Sequence, residues 1–399
     1  MLFRRYLVFL FLSSVACFST TTDYDDYDGY STTESVTSSD GFSTTVFPIA
    51  DGPSCENIPK KSWLDLAVVV ECSHVTLTQW TAIYTNILSY LSRLTIADTG
   101  DHTTRVSIIT YNHENATVVY SFTDPQNLNR IHIALKNAIS TTKLGESAKI
   151  FKGFRLAKDE IDRLKGFRIP GVVLYAATYD DSGDGNPLLA SQELKMDMVK
   201  IVTISFEASN GVATPQISAL ASPGLALTSR DPVKNFGWAV GQLNCICPAG
   251  WTQLVIGSQA DAKTYSDCFF TYTAQVLPAF TNCPQDNNLA TVYTPNRLDF
   301  LRRNMSYSIE GGAFSVGLVR TDGDSPWYWQ TYIENITYTN YPEFVAPPAA
   351  TDAYGYLQLV NGDWKLFSDD GMTNSRPYIC QTRSCDTNYV CDMQGNKHY

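Results

Sequence analysis

The chain has 399 residues, 44% hydrophobic and 17% charged, enough apolar residues for about two domain cores. Its net charge of −11, from 29 basic and 40 acidic residues, argues against the clustered Lys and Arg that phosphate binding needs. Ten cysteines are too few for a small disulfide scaffold, yet enough for several staples in an oxidising compartment.

Residues 1–19 read as a secretory signal peptide. Arg4 and Arg5 make the positive start, Leu7 to Leu12 begin a short apolar core, and Ser14 and Ala16 fit a small-residue cleavage rule. No later segment offers 18 consecutive apolar residues, so a secreted, extracellular protein without stable membrane insertion is expected. The sequons at Asn115, Asn304 and Asn335 agree as glycosylation sites. Residues 20–54 are rich in Ser, Thr and Asp, with seven acidic residues and no Lys or Arg. Such a segment buries too little to offset its ordering entropy, so a disordered linker is expected.

Residues 55–245 read as an α/β domain. Leu64 to Val70 is a near-continuous apolar run, as a strand buried on both faces requires. Leu77, Trp80, Tyr84, Ile87, Leu88, Leu91 and Leu94 then recur with helical spacing. Thr104–Tyr111, Ala116–Phe122, Val172–Ala176 and Ile201–Phe206 read as strands; Leu128–Ile139, Phe154–Leu164 and Leu188–Met198 read as helices. The alternation predicts a doubly wound, mostly parallel sheet with helices on both faces. From 247 to 383 aromatics rise, Gly and Pro punctuate, and one helix reads clearly, Asn296–Met305. An α+β, disulfide-linked domain is expected there, with residues 384–399 as a C-terminal disulfide loop and tail.

The first predicted strand ends Glu71-Cys-Ser73-His-Val75, which resembles the D-x-S-x-S of von Willebrand factor type A domains. The resemblance implies a Mg²⁺ or Mn²⁺ site built from that motif plus a Thr and an Asp on later loops. Here Glu71 stands at the Asp, Ser73 at the first Ser and Val75 at the second; Ala148 stands at the Thr, and Ala177-Thr178 where an Asp is usual. Mg²⁺ needs an octahedron of hard oxygens, so a degenerate remnant is expected at Glu71 and Ser73, and no bound metal. Asp180 to Gly185 mimics the start of a calcium loop, but Ser191 stands where a bidentate Glu is required. His113-Glu114 begins a zinc-protease pattern that Thr117 breaks.

Cys247-Pro-Ala-Gly-Trp251, Phe314-Ser-Val-Gly-Leu318, Trp327-Tyr-Trp329, Asn361-Gly-Asp-Trp364 and Tyr378-Ile-Cys380 follow in an order that resembles a long-form C-type lectin-like domain. An A-type domain followed by such a domain is similar to a large nematode family of secreted proteins. In sugar-binding members an E-P-N-like triplet and the residues after the Trp hold Ca²⁺. Here Ala346, Pro347 and Pro348, then Lys365 and Leu366, stand at those positions, so calcium-dependent sugar binding is not expected. Tyr328, Tyr338, Tyr341 and Tyr354 are candidate aromatic contacts, or core.

The resemblance also implies Cys247–Cys268 as a hairpin bridge and Cys283–Cys380 as the domain closure. The family's inner bridge has no cysteines here. Cys385 and Cys391 fit a short C-terminal loop, and Cys55 and Cys245 bracket the first domain. Cys72 is left over and reads as a buried, inert thiol. No catalytic constellation assembles from five histidines, so no enzyme and no cofactor are expected. The expected function is non-enzymatic recognition of a glycan or an extracellular protein, with carbohydrate binding or innate immunity as the family association. Adhesion through the A-type domain is the alternative.

Overall fold

A computed structural model describes residues 50–141, 147–164, 166–183, 185–206, 214–258, 261–276, 279, 283–284, 287–305 and 312–391. The expected signal peptide (1–19) and nearly all of the expected linker (20–54) lie outside these residues, as does Cys17.

The first lobe is a six-stranded sheet in the order β3-β2-β1-β4-β5-β6. Its strands are β1 (Leu64–Glu71), β2 (Arg105–Tyr111), β3 (Ala116–Tyr120), β4 (Ile169–Ala176), β5 (Lys200–Ser205) and β6 (Ala226–Thr228). All neighbours run parallel except the edge pair β2–β3. Among the described residues, seven α-helices accompany it: α1 (His74–Leu77), α2 (Trp80–Leu91), α3 (Leu128–Thr141), α4 (Ile150–Leu164), α5 (Pro187–Met196), α6 (Pro215–Ala219) and α7 (Val233–Gly241).

Strand β1 explains why the sheet is covered on both sides. Leu64, Leu66, Val68 and Val70 enter one core, while Ala67 and Val69 enter the other. Side chains alternate across a strand, so an unbroken apolar run must face apolar partners both ways. Each fully buried Val or Leu contributes roughly 1.5–3 kcal/mol. The one charge within the run, Asp65, is buried and held by Arg105 Nε and Nη2 of β2, both at 2.7 Å.

Helix α2 buries Ile83, Ile87, Tyr90 and Leu91, the i, i+4, i+7, i+8 stripe of an amphipathic helix. It starts later than the periodicity predicts. Ser73 and Thr76 form a capping box that makes α1 a separate turn, and Leu77 is left exposed. Strand β4 begins earlier than predicted, since Ile169, Pro170 and Gly171 are part of it. A Cβ at Gly171 would stand 2.7 Å from the Leu243 Cδ1, so Leu243 packs into the space that glycine leaves.

The second lobe is a nine-stranded sheet running β12-β11-β10-β15-β8-β7 along its main path. Its strands are β7 (Thr252–Ile256), β8 (Lys263–Val276), β9 (Asn288–Leu289), β10 (Ala313–Val319), β11 (Tyr328–Trp329), β12 (Ile336–Thr337), β13 (Tyr354–Val360), β14 (Asp363–Asp369) and β15 (Arg376–Arg383). Helix α8 (Pro295–Asn304) is capped by the Thr294 hydroxyl and opens on Pro295. Phe314, Val316, Leu318, Trp329, Leu357, Leu366 and Ile379 fill the core.

Three stretches of chain meet between the lobes. Ile246 and Cys385 exchange backbone hydrogen bonds of 3.1 and 2.8 Å. Glu56 N donates to Asp386 and Ile58 N to Thr387, at 3.0 and 2.9 Å. Asp51, upstream of both, accepts from Thr294 and Asn296 of the second lobe. Cys385 and Cys391 pack into the first lobe's core, so the C-terminal loop folds back across the chain. At Gly224, φ is +75° and a Cβ would stand 2.3 Å from the Ala262 carbonyl. Only glycine permits that approach.

Candidate functional site

Parallel sheets of this kind bind ligands beyond the carboxyl ends of their strands. Glu71 closes β1 there and is fully buried. One carboxylate oxygen accepts from the Ser73 hydroxyl at 2.6 Å and the Thr178 hydroxyl at 2.9 Å. The other accepts from Ala177 N and Thr178 N at 2.8 and 3.0 Å. Burial pushes the Glu71 carboxyl above its ordinary value, and these hydrogen bonds only partly offset it.

The surrounding positions do not fit a divalent cation. Val75 packs against one core and Ala148 lies within the other, and neither offers an oxygen. Beside them Lys149 Nζ donates to Asp180 at 2.7 Å and to the Ser182 carbonyl and hydroxyl at 2.5 and 2.8 Å. Burial raises the Asp180 carboxyl, but the Lys149 and Ser182 hydrogen bonds outweigh it and hold the group well below the usual carboxylate range. The acidic loop that mimics a calcium site is thus bonded to a lysine of its own chain; Asp184 lies outside the described residues. His113 is exposed beside Ser147 and Asp180.

The second lobe's long loop shows a related arrangement. Arg320, just after β10, donates to the carbonyl oxygens of Asp352 at 2.6 Å and Gly323 at 2.8 Å, and also to that of Ala349. Its guanidinium lies 4.8 Å from the Trp327 ring centre. The Asp352 carboxylate accepts from Ala349 N and the Ser368 hydroxyl. Ala346 and Pro347 are exposed without side-chain oxygens. Leu366 is fully buried in the core, and Lys365 is exposed 3.8 Å from Asp363. Tyr338 packs on the core and donates to the Pro342 carbonyl at 2.5 Å, whereas Tyr328, Tyr341 and Tyr354 are half-buried.

The structure pairs Cys55 with Cys245, Cys247 with Cys268, Cys283 with Cys380 and Cys385 with Cys391. Their Cα separations of 5.6–5.8 Å suit a bridge. Cys72 is fully buried and remains a thiol. Asn115, Asn304 and Asn335 are all exposed. No group of three or more metal-ligating side chains forms among the described residues, and no helix there is long and apolar enough to cross a membrane.

Sequence reasoning missed Lys149, Arg320 and a fully buried cluster around Arg297. Arg297 donates to the Thr291 carbonyl and hydroxyl, both at 2.8 Å, and to Gln381 at 3.0 Å, and pairs with Asp267. Gln381 and Tyr332 complete the hydrogen bonding of Asp267, at 2.8 and 2.6 Å. A lone Arg on a polar helix carries no spacing signal for this. Lys149 stood inside the loop aligned to the Thr position, which was the available clue.

A family model for the von Willebrand factor type A domain matches residues 65–233. The C-type lectin domain-containing protein 160 of Caenorhabditis elegans is 23% identical over 387 residues, covering 88% of this chain. The chain spans 58% of that relative's length. Proximal thread matrix protein 1 from the mussel byssus is 19% identical, over 46% of each chain, with a TM-score of 0.38. The C-type lectin domain of murine dendritic cell inhibitory receptor 2 is 16% identical, over 35% of this chain and 99% of that one, with a TM-score of 0.28. The matched span covers the first lobe from Asp65 in β1 through β6, which makes this lobe a von Willebrand factor type A-like α/β domain, and the second lobe carries the Cys247–Cys268 and Cys283–Cys380 bridges.

Proposed function

We propose that the protein is an extracellular, non-enzymatic recognition molecule that engages glycan or protein ligands without a bound divalent cation. One observation carries the reading: side chains of the chain itself satisfy the carboxylates beside the degenerate A-type motif and the carbonyl oxygens of the second lobe's long loop. Lys149 takes Asp180, Thr178 takes Glu71, and Arg320 takes three loop carbonyl oxygens. Lysine and arginine supply the positive charge and hydrogen-bond donors directly, with no ion to lose. Four disulfides support an oxidising, extracellular setting, in keeping with the signal-like start of the chain. The test is a glycan array run with calcium and with EDTA. Hits that persist in EDTA support the reading, and hits abolished by EDTA overturn it. An array blank in both conditions directs the recognition to protein ligands, as adhesion through the A-type domain would require.

A further inference from the structure

Between the two lobes lies a cleft of about 270 Å³, separate from both loop regions above. One wall comes from α5, β5 and the turn at Gly224, the other from Ile246, Trp251 and strands β7 and β8. Most of the lining is apolar, including Leu225, Val255, Trp238 and Trp251. Two lysines interrupt it, Lys195 at the end of α5 and Lys200 at the start of β5, and no lining residue is acidic.

Two amines facing an apolar cleft without a counter-charge are costly unless something anionic joins them. Lys195 is half-buried, and its ammonium makes no hydrogen bond or ion pair with the described residues. Lys200 donates to the Cys245 carbonyl and to Gln253 Oε1, which leaves one of its three ammonium hydrogens for a ligand. Both partners are neutral oxygens, so neither balances its charge. Burial pushes the Lys200 amine down to about 7 and lowers Lys195 as well.

We infer that the inter-lobe cleft binds a small amphipathic carboxylate, its carboxylate at Lys200 and Lys195 and its apolar body between Trp238 and Trp251. The volume lies just under the ~300–1,000 Å³ of ordinary small-molecule pockets, which limits the ligand to a compact body of one or two rings or a short chain. Clefts between domains are common places for such sites. The two tryptophans supply flat apolar walls, and Trp238 is about half exposed, at 48%, although it lines the cleft.

The experiment uses the whole secreted chain, titrated calorimetrically with 1-naphthylacetate and with its neutral counterpart 2-(1-naphthyl)ethanol. Tryptophan fluorescence is followed in parallel. The acid is expected to bind at least about tenfold more tightly than the alcohol, or ~1.4 kcal/mol, and to quench tryptophan emission. Lys200→Met should remove that preference while leaving the alcohol's affinity unchanged. If Lys200→Met is not secreted, Lys195→Met and the cleft-filling Val255→Trp take its place. The first should reduce the preference, and the second should weaken both ligands. No binding of the acid up to about 1 mM, equal affinities for acid and alcohol, or variants that bind the acid like the parent would each overturn the proposal.

Discussion

Glu71 is a carboxylate placed where no water reaches it, surrounded by donors that fall into two kinds. One oxygen faces two backbone N–H groups, and the other faces two hydroxyls. Hydroxyls rotate to accept as well as donate, and backbone amides cannot. Glu71→Gln therefore fits, with its amide oxygen toward Ala177 and Thr178 N and its NH₂ toward Ser73 and Thr178. Because burial raises the Glu71 carboxyl above its ordinary value of 4.5, the folded state holds the proton more tightly than the unfolded one. That contribution to stability is present below pH 4.5 and is lost as pH rises through the folded value. Urea unfolding should find Glu71→Gln gaining on the parent as pH rises above 4.5. Glu71→Ala should lose about 1–3 kcal/mol for each buried donor left unpaired. A gap between Gln and parent that does not change with pH would reject this account. The Arg297–Asp267 pair, with both side chains fully buried, makes a sharper case. Removing one partner leaves the other charge buried, so Arg297→Met should cost about 3–5 kcal/mol in chemical denaturation. The double variant Arg297→Met, Asp267→Leu should recover part of that loss, and a purely additive result would count against the pair.

At the scale of elements, the stretch from Arg320 to Ala353 has little regular structure, with only β11 and β12 between its ends. Three carbonyl oxygens converge on one guanidinium, and Trp327 lies against its face. Lysine carries the same charge but lacks the planar fork that reaches several acceptors at once. Arg320→Lys should therefore loosen this loop nearly as much as Arg320→Ala, while the core around Trp329 holds. Hydrogen exchange reads this directly: faster exchange at Gly323 and Asp352, with unchanged protection in β10 and β15. Slowed or unchanged loop exchange in both variants would show that Arg320 does not fasten it.

On the scale of the whole molecule, the change of composition near residue 246 is a boundary along the chain, but packing crosses it. Residues 384–391 leave the second lobe and bury Cys385 and Cys391 in the first lobe's core. Ending the chain after Arg383 should lower the melting temperature by several degrees, since each kcal/mol lost shifts a domain of this size by roughly 2–4 °C. The loss should fall on the first lobe, where proteolysis between β1 and α2 would speed up; a truncated chain with parental melting refutes the contact's importance. The three sequons provide a separate surface test. Asn115, Asn304 and Asn335 are exposed on different elements, so glycosidase treatment of the secreted protein should remove mass. Replacing each Asn by Gln should reduce that shift stepwise, and an unchanged mass would show that none is modified.

The sequence by itself determined the first lobe's layers, because a strand buried on both faces is an unbroken run of Leu and Val and can be read without knowing its neighbours. It also carried the ordered motifs by which residues 247–383 resemble a C-type lectin-like domain, and that order along the chain is itself the signal. Local rules failed where a short-range cue competed with packing. The apolar run starts the fourth strand at Val172, yet Ile169, Pro170 and Gly171 also sit in β4, where Leu243 packs into the space that Gly171 leaves. Leu77 matched the helical period yet is exposed, because the Ser73–Thr76 box turns the chain first. At Glu71 and Ser73 the missing oxygens of Val75 and Ala148 were legible, but what takes the acceptors instead was not. Thr178 reaches Glu71 across 107 residues, Lys149 reaches Asp180 across 31, and Arg320 gathers carbonyls up to 32 residues away. Hydrogen bonds of this kind depend on which loops share one edge of a sheet, and only the tertiary structure decides that.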